Sequence, residues 1–401
     1  MSQKPLLTIF LIVFIDLFGF GIILPLLPFI AEQYSASPFE IGLLTASYSL
    51  FQLIGAPILG RLSDRYGRKK LLIISQLGTV AGFVLLGVAG SLPILFLSRI
   101  IDGITGGNIS IAQAYIADVT EKKDRAKGMG MLGAAFGLGF ILGPVVGGIL
   151  AKFGFAAPAY FAAGIAFASV LATWFLLKET VDITKAKHSP KTTFSFSRLS
   201  AVFKSQPIGM LTIAFFILNL AFSSMTGNFA LWTQAKFSYG PTENGWLFAY
   251  VGIIAVITQM LVLPRLVKRM GEGKLLSLGT ASLGIGLASI PFSRTPVFLY
   301  LSLLWIAFGN GVSNPSLLAV ASESVKKEEY GGTLGFLQSA GSFGRVIGPP
   351  LGGELFEVKG KDSPFVFASL LTGVIVAMFA RFLKTNVYAI VDDRDETKAA
   401  R

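Results

Sequence analysis

Long apolar segments recur along the whole chain and are separated by short polar connections. Clear examples are Leu6–Ile30, Leu71–Leu92, Pro158–Leu177 and Phe365–Leu383. A bilayer core of about 30 Å is crossed by roughly 20 helical residues, so each segment is long enough to span it. Lipid offers no hydrogen-bond partners to the backbone, and the segments show no alternation of apolar and polar residues. The pattern therefore predicts membrane-spanning α-helices rather than strands of a barrel.

The same pattern extends to twelve predicted transmembrane helices. We place them at 6–31, 40–60, 71–92, 94–117, 128–150, 157–177, 208–233, 244–264, 274–293, 296–320, 332–355 and 363–383. Composition agrees, because only 14% of the 401 residues are charged and the mean hydropathy is +0.68. Soluble domains are about 25% charged. The predicted fold class is an all-α membrane protein.

The basic residues fall mainly on one side of this predicted topology. Of the 34 Lys and Arg residues, 27 lie in the termini or in the connections that follow even-numbered helices. Positively charged loops stay in the cytoplasm, so both termini are expected there, in a multi-pass plasma (inner) membrane protein. The net charge of +12 thus reflects topology. We expect no nucleic-acid partner.

Two halves of the chain repeat each other at an offset of about 204 residues. Residues 61–72 align with 265–276, and 143–148 align with 348–353. We predict an N-terminal six-helix bundle at 1–178, a cytoplasmic linker at 179–207, and a C-terminal six-helix bundle with a short tail at 208–401. Six helices per half give both halves the same orientation, which is typical of transporters that rock around a site at the interface of the halves.

Four motifs carry a family resemblance. They are Gly60–Lys70, Asp16 followed by Pro25 and Pro28, Arg99–Gly106, and Gly139–Gly148. Together they resemble the major facilitator superfamily, and within it the twelve-span drug:proton antiporters of the tetracycline-efflux branch. The resemblance implies two pseudo-symmetric six-helix bundles. It also implies proton-coupled efflux of a drug-like molecule or amphipathic metabolite by alternating access, in a monomer with protons as the coupling ion and no other cofactor.

Other functions stay open at this point. A proton symporter or uniporter for sugars or organic acids would show similar motifs, and a channel or sensor is a third alternative. No nucleophile–base pair or phosphate loop is visible, so we do not predict an enzyme. The chain has no cysteine and one histidine, His188, which leaves no metal site to predict.

Four charged residues lie inside predicted spans: Asp16, Arg99, Asp102 and Arg345. Each costs about 2.5–3.5 kcal/mol on insertion scales, which favours a function. Arginine keeps its proton at physiological pH, whereas a carboxylate can take one up. Asp16 and Asp102 are therefore the proton-coupling candidates, and Arg99 and Arg345 the counter-charges or substrate-binding groups. The structural alternative is internal neutralisation, by an Arg99–Asp102 or an Asp16–Arg345 pair.

Three further groups of residues are candidates. Polar side chains within spans could line a cavity: Tyr48, Gln52, Asn108, Gln113, Asn219, Asn228, Trp232, Gln259, Asn310, Asn314 and Gln338. The connection between the second and third helices could act as a conformational latch that favours the outward-facing state: Gly60, Asp64, Arg65, Gly67 and Arg68. The fifth helix could be a bendable gating helix with small residues on one face: Gly139, Gly143, Pro144, Gly147 and Gly148.

Overall fold

The computed structural model describes residues 4–120, 125–181, 208–325 and 330–384, and within these ranges the chain is helical with short connections and no strand. In the first half the helices are α1 (Lys4–Ile23), α2 (Leu27–Glu32), α3 (Pro38–Tyr66), α4 (Arg68–Gly87), α5 (Leu92–Thr105), α6 (Asn108–Val119), α7 (Arg125–Leu150) and α8 (Ala156–Leu176). In the second half they are α9 (Ile208–Phe237), α10 (Pro241–Ile257), α11 (Leu263–Met270), α12 (Glu272–Ser289), α13 (Pro296–Glu323), α14 (Tyr330–Lys359) and α15 (Ser363–Lys384).

Within the described residues, 11 helical segments are long and apolar enough to cross a membrane. In that set α5 with α6, and α10 with α11, each form one span. Helix α14 has 30 residues but lower hydropathy, because it is rich in Gly and Ser and contains Arg345 and two prolines. It runs parallel to α9, with Gly341 against Phe215 and Gly352 against Asn228. The all-α membrane fold is confirmed, and α14 lies at the same depth as the span α9.

Three predicted spans contain an interruption of the regular helix, besides shifts of a few residues at the ends of others. The first ends at Ile23 and is followed by the short helix α2 rather than continuing to residue 31. The fourth is interrupted at Gly106 and Gly107, where the Gly106 amide bonds to Gly103 and the Gly107 amide to Thr105. The eighth begins at Pro241 and contains a π-helical turn at Thr258–Val262. Apolar runs predict which residues lie in lipid, but not where hydrogen bonding within a helix is interrupted.

Successive spans alternate in direction, which defines two faces of the molecule. We call the face that carries the start of α1 and the end of α15 the terminal face, and the opposite one the far face. Helices α3 and α10 begin at the far face, whereas α7 and α14 end there. The predicted linker 179–207 lies outside the described residues beyond residue 181, so the domain boundaries remain predictions.

The apolar core of each half lies mainly between its own helices, and the cluster of the first half also includes Leu231 of α9. In the first half, Phe83, Leu86 and Ala162 belong to one buried cluster, and in the second half Leu283 and Leu303 belong to another. Large apolar side chains remain exposed on the outside, as expected of a surface that contacts lipid. The polar groups buried inside the bundle need hydrogen-bond partners, because their burial without a partner is costly.

Candidate functional site

Asp16 lies on α1 and receives a hydrogen bond from a neutral side chain. The Nδ2 atom of Asn108 donates to Asp16 Oδ1 over 2.7 Å, and Asn108 is almost fully buried. Asn108 is the first residue of α6, directly after the break at Gly106 and Gly107. The interruption of the fourth span thus places the Asn108 side-chain amide beside the Asp16 carboxylate. The sequence, read as one unbroken helix, does not predict this contact.

Arg99 and Asp102 form a buried ion pair on α5. Arg99 Nη1 lies 3.2 Å from Asp102 Oδ2, and their side chains are only 3% and 5% exposed. The Arg99 guanidinium carbon lies 5.8 Å from the centroid of the Phe83 ring. Gly82 lets α4 approach, since a Cβ there would lie 2.9 Å from Asp102 Cβ. One of the two neutralising pairs considered from the sequence is therefore present.

Arg345 has no acidic partner within 4.0 Å among the described residues. Its Nη1 donates to Asn219 Oδ1 over 3.0 Å and its Nη2 to Ser342 Oγ over 2.7 Å. Among the described residues, the ion pairs within 4.0 Å are Arg68–Asp64, Arg68–Asp118 and Arg99–Asp102. The alternative Asp16–Arg345 pair is thus absent, and both groups keep an uncompensated charge when ionised.

Tyr48 lies on α3, the helix of the first half that packs against α14 of the second half through Gly42 and Pro349. Its ring centroid lies 5.2 Å from that of Phe20 on α1. Gln52 Nε2 donates to the Tyr48 hydroxyl over 2.9 Å and to the Gly106 carbonyl over 3.2 Å. The structure therefore joins candidates within each half: Asp16 with Asn108 and Tyr48 with Gln52 in the first, and Arg345 with Asn219 in the second.

Two cavity candidates are core residues instead. Trp232 is fully buried, and its Nε1 donates to Asp362 Oδ1 over 2.7 Å. Asn228 is fully buried where α9 meets Gly352 of α14, and its Nδ2 donates to the Ser224 carbonyl over 2.9 Å. Neither side chain is open to a cavity in this conformation. A polar residue in a span can make hydrogen bonds to neighbours in the core, and sequence alone does not distinguish that role from lining a cavity.

The remaining cavity candidates are spread over several helices. Asn314 Nδ2 donates to Asn310 Oδ1 over 2.9 Å on α13, and both residues are half-buried. Gln113, Gln259 and Gln338 are exposed. Gln259 belongs to the π-helical turn between α10 and α11. Their place in a substrate path stays a prediction.

The gating-helix candidates on α7 contact two different helices. Gly139, Gly143 and Gly147 face α1, where a Cβ on Gly143 would lie 2.7 Å from the Gly21 backbone. Gly148 and Pro144 face α10 of the other half. A Cβ on Gly148 would lie 2.7 Å from the Pro241 carbonyl oxygen, and one on Gly245 would lie 2.4 Å from that of Pro144. Helix α7 thus packs tightly against its own half and the other half at once.

The second half repeats this contact through α14 and α3. A Cβ on Gly353 would lie 2.2 Å from the Pro38 carbonyl oxygen, and one on Gly42 would lie 2.3 Å from that of Pro349. All four contacts lie toward the far face. At the terminal face, a Cβ on Gly130 or Gly133 of α7, or on Gly335 of α14, would meet no described atom within 4 Å. Among the described residues, the close approaches of the two halves at these glycines therefore lie toward the far face.

The latch candidates form a cluster within the first half. Gly67 ends α3 with φ +105°, a conformation that favours glycine. Arg68 pairs with Asp64 and with Asp118, where Arg68 Nε lies 3.1 Å from Asp118 Oδ2. The backbone amides of Arg68 and Lys69 donate to the Glu179 carboxylate over 2.8 and 3.2 Å. Gly60 makes no close approach, and Arg65 lies over its neighbour Tyr66.

Comparison with known proteins decides the family. The sequence profile described as Major Facilitator Superfamily matches residues 9–331 and 229–400. The chain belongs to this superfamily. A Bacillus subtilis (strain 168) relative of this major facilitator protein, named "Multidrug resistance protein 2", is 29% identical over 97% of this chain and 98% of its own. The Escherichia coli "Tetracycline resistance protein, class E" is 32% identical over 86% of both chains.

Solved transporter structures share the fold. The crystal structure of the nucleoside transporter NupG aligns with a TM-score of 0.76, at 17% identity over 97% of this chain and 100% of that one. The resemblance predicted from the four motifs is thus confirmed at the level of family and fold. The roles of individual residues stay predictions that rest on the geometry described above.

Two residues that contact the latch candidates of this major facilitator protein were missed from sequence. Asp118 and Glu179 each contact Arg68, by its side chain and by its backbone amide respectively. Both carboxylates lie at the ends of spans on the terminal face. A single acidic residue is common at such a place, so it does not by itself indicate a functional contact. A useful signal is the helix N-terminus at Arg68, whose free amides attract an anion.

Replacing Asp64 tests the latch without disturbing the core. We expect Asp64→Asn to slow transport while expression and substrate binding persist. The Asp64 side chain is 62% exposed, so the free energy of unfolding should change by less than about 1 kcal/mol. Transport rates of purified protein in vesicles measure the effect, with the exposed Glu357→Gln variant as the matched control. An unchanged rate would refute the latch.

Proposed function

We propose that this protein is a proton-coupled antiporter that exports a small drug-like molecule or amphipathic metabolite. The observation that carries the proposal is Asp16, a carboxylate within a membrane span that has a neutral hydrogen-bond partner and no cationic one among the described residues. It lies on α1, which packs against α7, the helix that also contacts α10 of the other half. The names of the Bacillus and Escherichia relatives, which concern multidrug and tetracycline resistance, support the same function.

In the proposed mechanism, a proton and a cationic group of the substrate compete for the Asp16 carboxylate. A proton on Asp16 removes its charge, and a cationic group of the substrate would instead be held by the ionised form. Either occupant changes the relative free energies of the two states of the halves, which is what coupling requires. Asp102 is a second candidate for the proton, because protonation there would weaken its hold on Arg99.

The cellular setting is part of the proposal. The asymmetry of basic residues supports cytoplasmic termini in the plasma (inner) membrane. The terminal face would then be cytoplasmic, and the present conformation inward-facing. We propose a monomer without enzymatic activity, nucleic-acid partner or cofactor other than the proton.

Proton symport of an organic acid is the alternative. Arg345 favours it, because a guanidinium that pairs with no described carboxylate can hold an anion. Vesicles that contain a pH-sensitive dye separate the two. In antiport, substrate and protons cross in opposite directions, whereas in symport they cross together. The sign of the dye response to a substrate gradient therefore decides between them.

Carboxylate replacements test the proton-coupling residues. We expect Asp16→Asn to reduce flux driven by a pH gradient to the level of empty vesicles, because the neutral amide cannot exchange a proton. Asp102→Asn should reduce it as well. Ethidium and tetracycline serve as probes, with Glu354→Gln, an exposed carboxylate on α14, as the control. If both variants keep gradient-driven flux, the assignment of these carboxylates is wrong.

A further inference from the structure

A narrow polar void lies inside the first half, where α1, α4 and α8 meet. Its lining comes in pairs of neighbouring residues, one pair from each helix: Ile15 and Asp16, Gln76 and Thr79, and Ala166 and Ser169. On α4 and on α8 the two residues are three apart, so each of these pairs shares one helix face. None of the six residues takes part in the glycine contacts between the halves. The void therefore belongs to one half alone.

One oxygen atom at this void lacks a partner. Gln76 is 3% exposed, and its Nε2 donates to Ser169 Oγ over 2.8 Å. Its Oε1 is inaccessible to solvent and accepts no hydrogen bond from any described residue. Gln76 lies eight residues after the start of α4, so it is about 12 Å from the terminal end of that helix. An unpaired amide oxygen buried at this depth is costly, which points to a ligand that binds it.

Asp16 supplies a negative charge to the same void. Asn108 donates to its Oδ1, which leaves Oδ2 for a second ligand. No described Lys or Arg side chain lies within 4.0 Å of this carboxylate. Ser169 and Thr79, which are 3% and 4% exposed, add two hydroxyl oxygens. The void thus offers one carboxylate, one amide oxygen and two hydroxyl groups.

This set of oxygens fits a small monovalent cation. Carboxylate and carbonyl oxygens bind hard cations, whereas transition metals prefer imidazole or thiolate ligands. A single carboxylate balances one positive charge, while Ca²⁺ sites commonly use several carboxylates. The void does not admit a sphere of the size of a water molecule. Na⁺ and Li⁺ are smaller than a water molecule, whereas K⁺ is about as large.

We propose that this void is a Na⁺ site, in which Asp16 Oδ2, Gln76 Oε1 and the Ser169 hydroxyl oxygen bind the ion. Na⁺ and a proton then compete for the same carboxylate, so Na⁺ can replace the proton as the coupling ion. The ion is transported rather than held as a resident cofactor. Its role in coupling rests on the proposed antiport, whereas its binding does not.

Thermal unfolding of the purified full-length protein tests the site, because a ligand that binds the native state raises Tm. The protein is measured at one pH and one ionic strength in NaCl, LiCl, KCl or choline chloride. We expect Tm to rise with Na⁺ concentration until it saturates, to rise with Li⁺ as well, and to stay at the choline value in K⁺. Equal Tm values in Na⁺, K⁺ and choline overturn the proposal.

Variants assign the effect of Na⁺ to these residues. Gln76→Leu and Ser169→Ala each remove one oxygen ligand and should raise the midpoint of the Na⁺ titration about tenfold or more. Asp16→Asn should abolish the response. The matched control is Ser282→Ala, a buried serine of the second half whose hydroxyl donates to the Leu278 carbonyl. An unchanged midpoint in both Gln76→Leu and Ser169→Ala would place the ion elsewhere and refute the site.

A fourth variant guards against a folding defect. Gln76→Glu keeps an oxygen ligand and adds a second negative charge, so it should bind Na⁺ more tightly than the unchanged protein. A damaged core alone would not produce this gain. Weaker Na⁺ binding in Gln76→Glu would contradict direct contact between residue 76 and the ion.

Flux measurements distinguish the ion site from the proposed antiport. If Na⁺ leaves Tm unchanged while a pH gradient still drives ethidium export, the site is refuted and the antiport stands. If Na⁺ binds as expected but neither a pH gradient nor a Na⁺ gradient drives export, the site is supported and the antiport is refuted. Export that follows a Na⁺ gradient at equal pH on both sides, and that is lost in Gln76→Leu, would support both.

Discussion

Gly245→Leu should open the far face. A Cβ at Gly245 would lie 2.4 Å from the Pro144 carbonyl oxygen, a distance at which the two helices must move apart. Overpacking of this kind costs about 1–3 kcal/mol, and here the cost arises only in the state whose halves touch at this point. The equilibrium should therefore shift roughly 5–150-fold toward the state with an open far face. Combining the change with Gly42→Leu should enlarge the shift, because the Gly42 contact is separate.

Distances between spin labels measure this shift, and the absence of native cysteine allows label sites to be introduced freely. One pair, Lys152→Cys with Arg294→Cys, reports on the far face, and a second, Arg61→Cys with Arg265→Cys, on the terminal face; all four positions are exposed. We expect the first distance to lengthen and the second to shorten. Gly373→Leu is the control, because a Cβ there meets no described atom within 4 Å. Unchanged distances in both pairs would show that these glycines do not hold the far face closed.

Breaking the Arg99–Asp102 pair should be the most destabilising single change in the first half. Both side chains are nearly inaccessible, so Arg99→Met leaves the Asp102 carboxylate buried without a counter-charge. Removal of one member of a buried pair costs about 3–5 kcal/mol. Replacement of both, as Arg99→Met with Asp102→Leu, should restore most of the stability, because desolvation of the pair offsets much of its attraction.

A double-mutant cycle of unfolding in detergent measures the coupling between the two residues. The exposed pair Asp64–Arg68 provides the contrast, since its Asp64 side chain is 62% exposed and its coupling should be below about 1 kcal/mol. Additive losses in the double variant would mean that Arg99 and Asp102 stabilise the protein independently. Transport should stay impaired even where stability returns, which separates a role in proton coupling from a role in folding.

The sequence predicted well which residues lie within the membrane, but much less well which side chains contact each other. Apolar runs and basic loops predicted the spans, and the four charges Asp16, Arg99, Asp102 and Arg345 were recognisable because charge is costly in lipid. The spacing of Arg99 and Asp102 on one helix even anticipated their pairing. In contrast, the partner of Asp16 depends on a break at Gly106 and Gly107, and glycine is also common in unbroken membrane helices.

Contacts between distant segments were the hardest to predict. Trp232 and Asn228 resemble cavity residues in the sequence, but their partners Asp362 and Ser224 make them core residues. Likewise Gly42 and Gly245 could face lipid or any neighbouring helix, and only the fold shows that they meet prolines of the other half. The packing of all helices together decides which of them are neighbours, and no local sequence pattern predicts this packing.

The contacts at the far face have the symmetry of a dimer. The end of α7 meets the start of α10 through Gly148 and Pro241, and the end of α14 meets the start of α3 through Gly353 and Pro38. In the repeat these are one contact made twice, with each half supplying both surfaces, as in the isologous interface of a two-fold dimer. A six-helix ancestor could thus have closed this face by pairing with a copy of itself. Joining the copies in one chain freed equivalent positions to differ, as Phe140 and Arg345 now do.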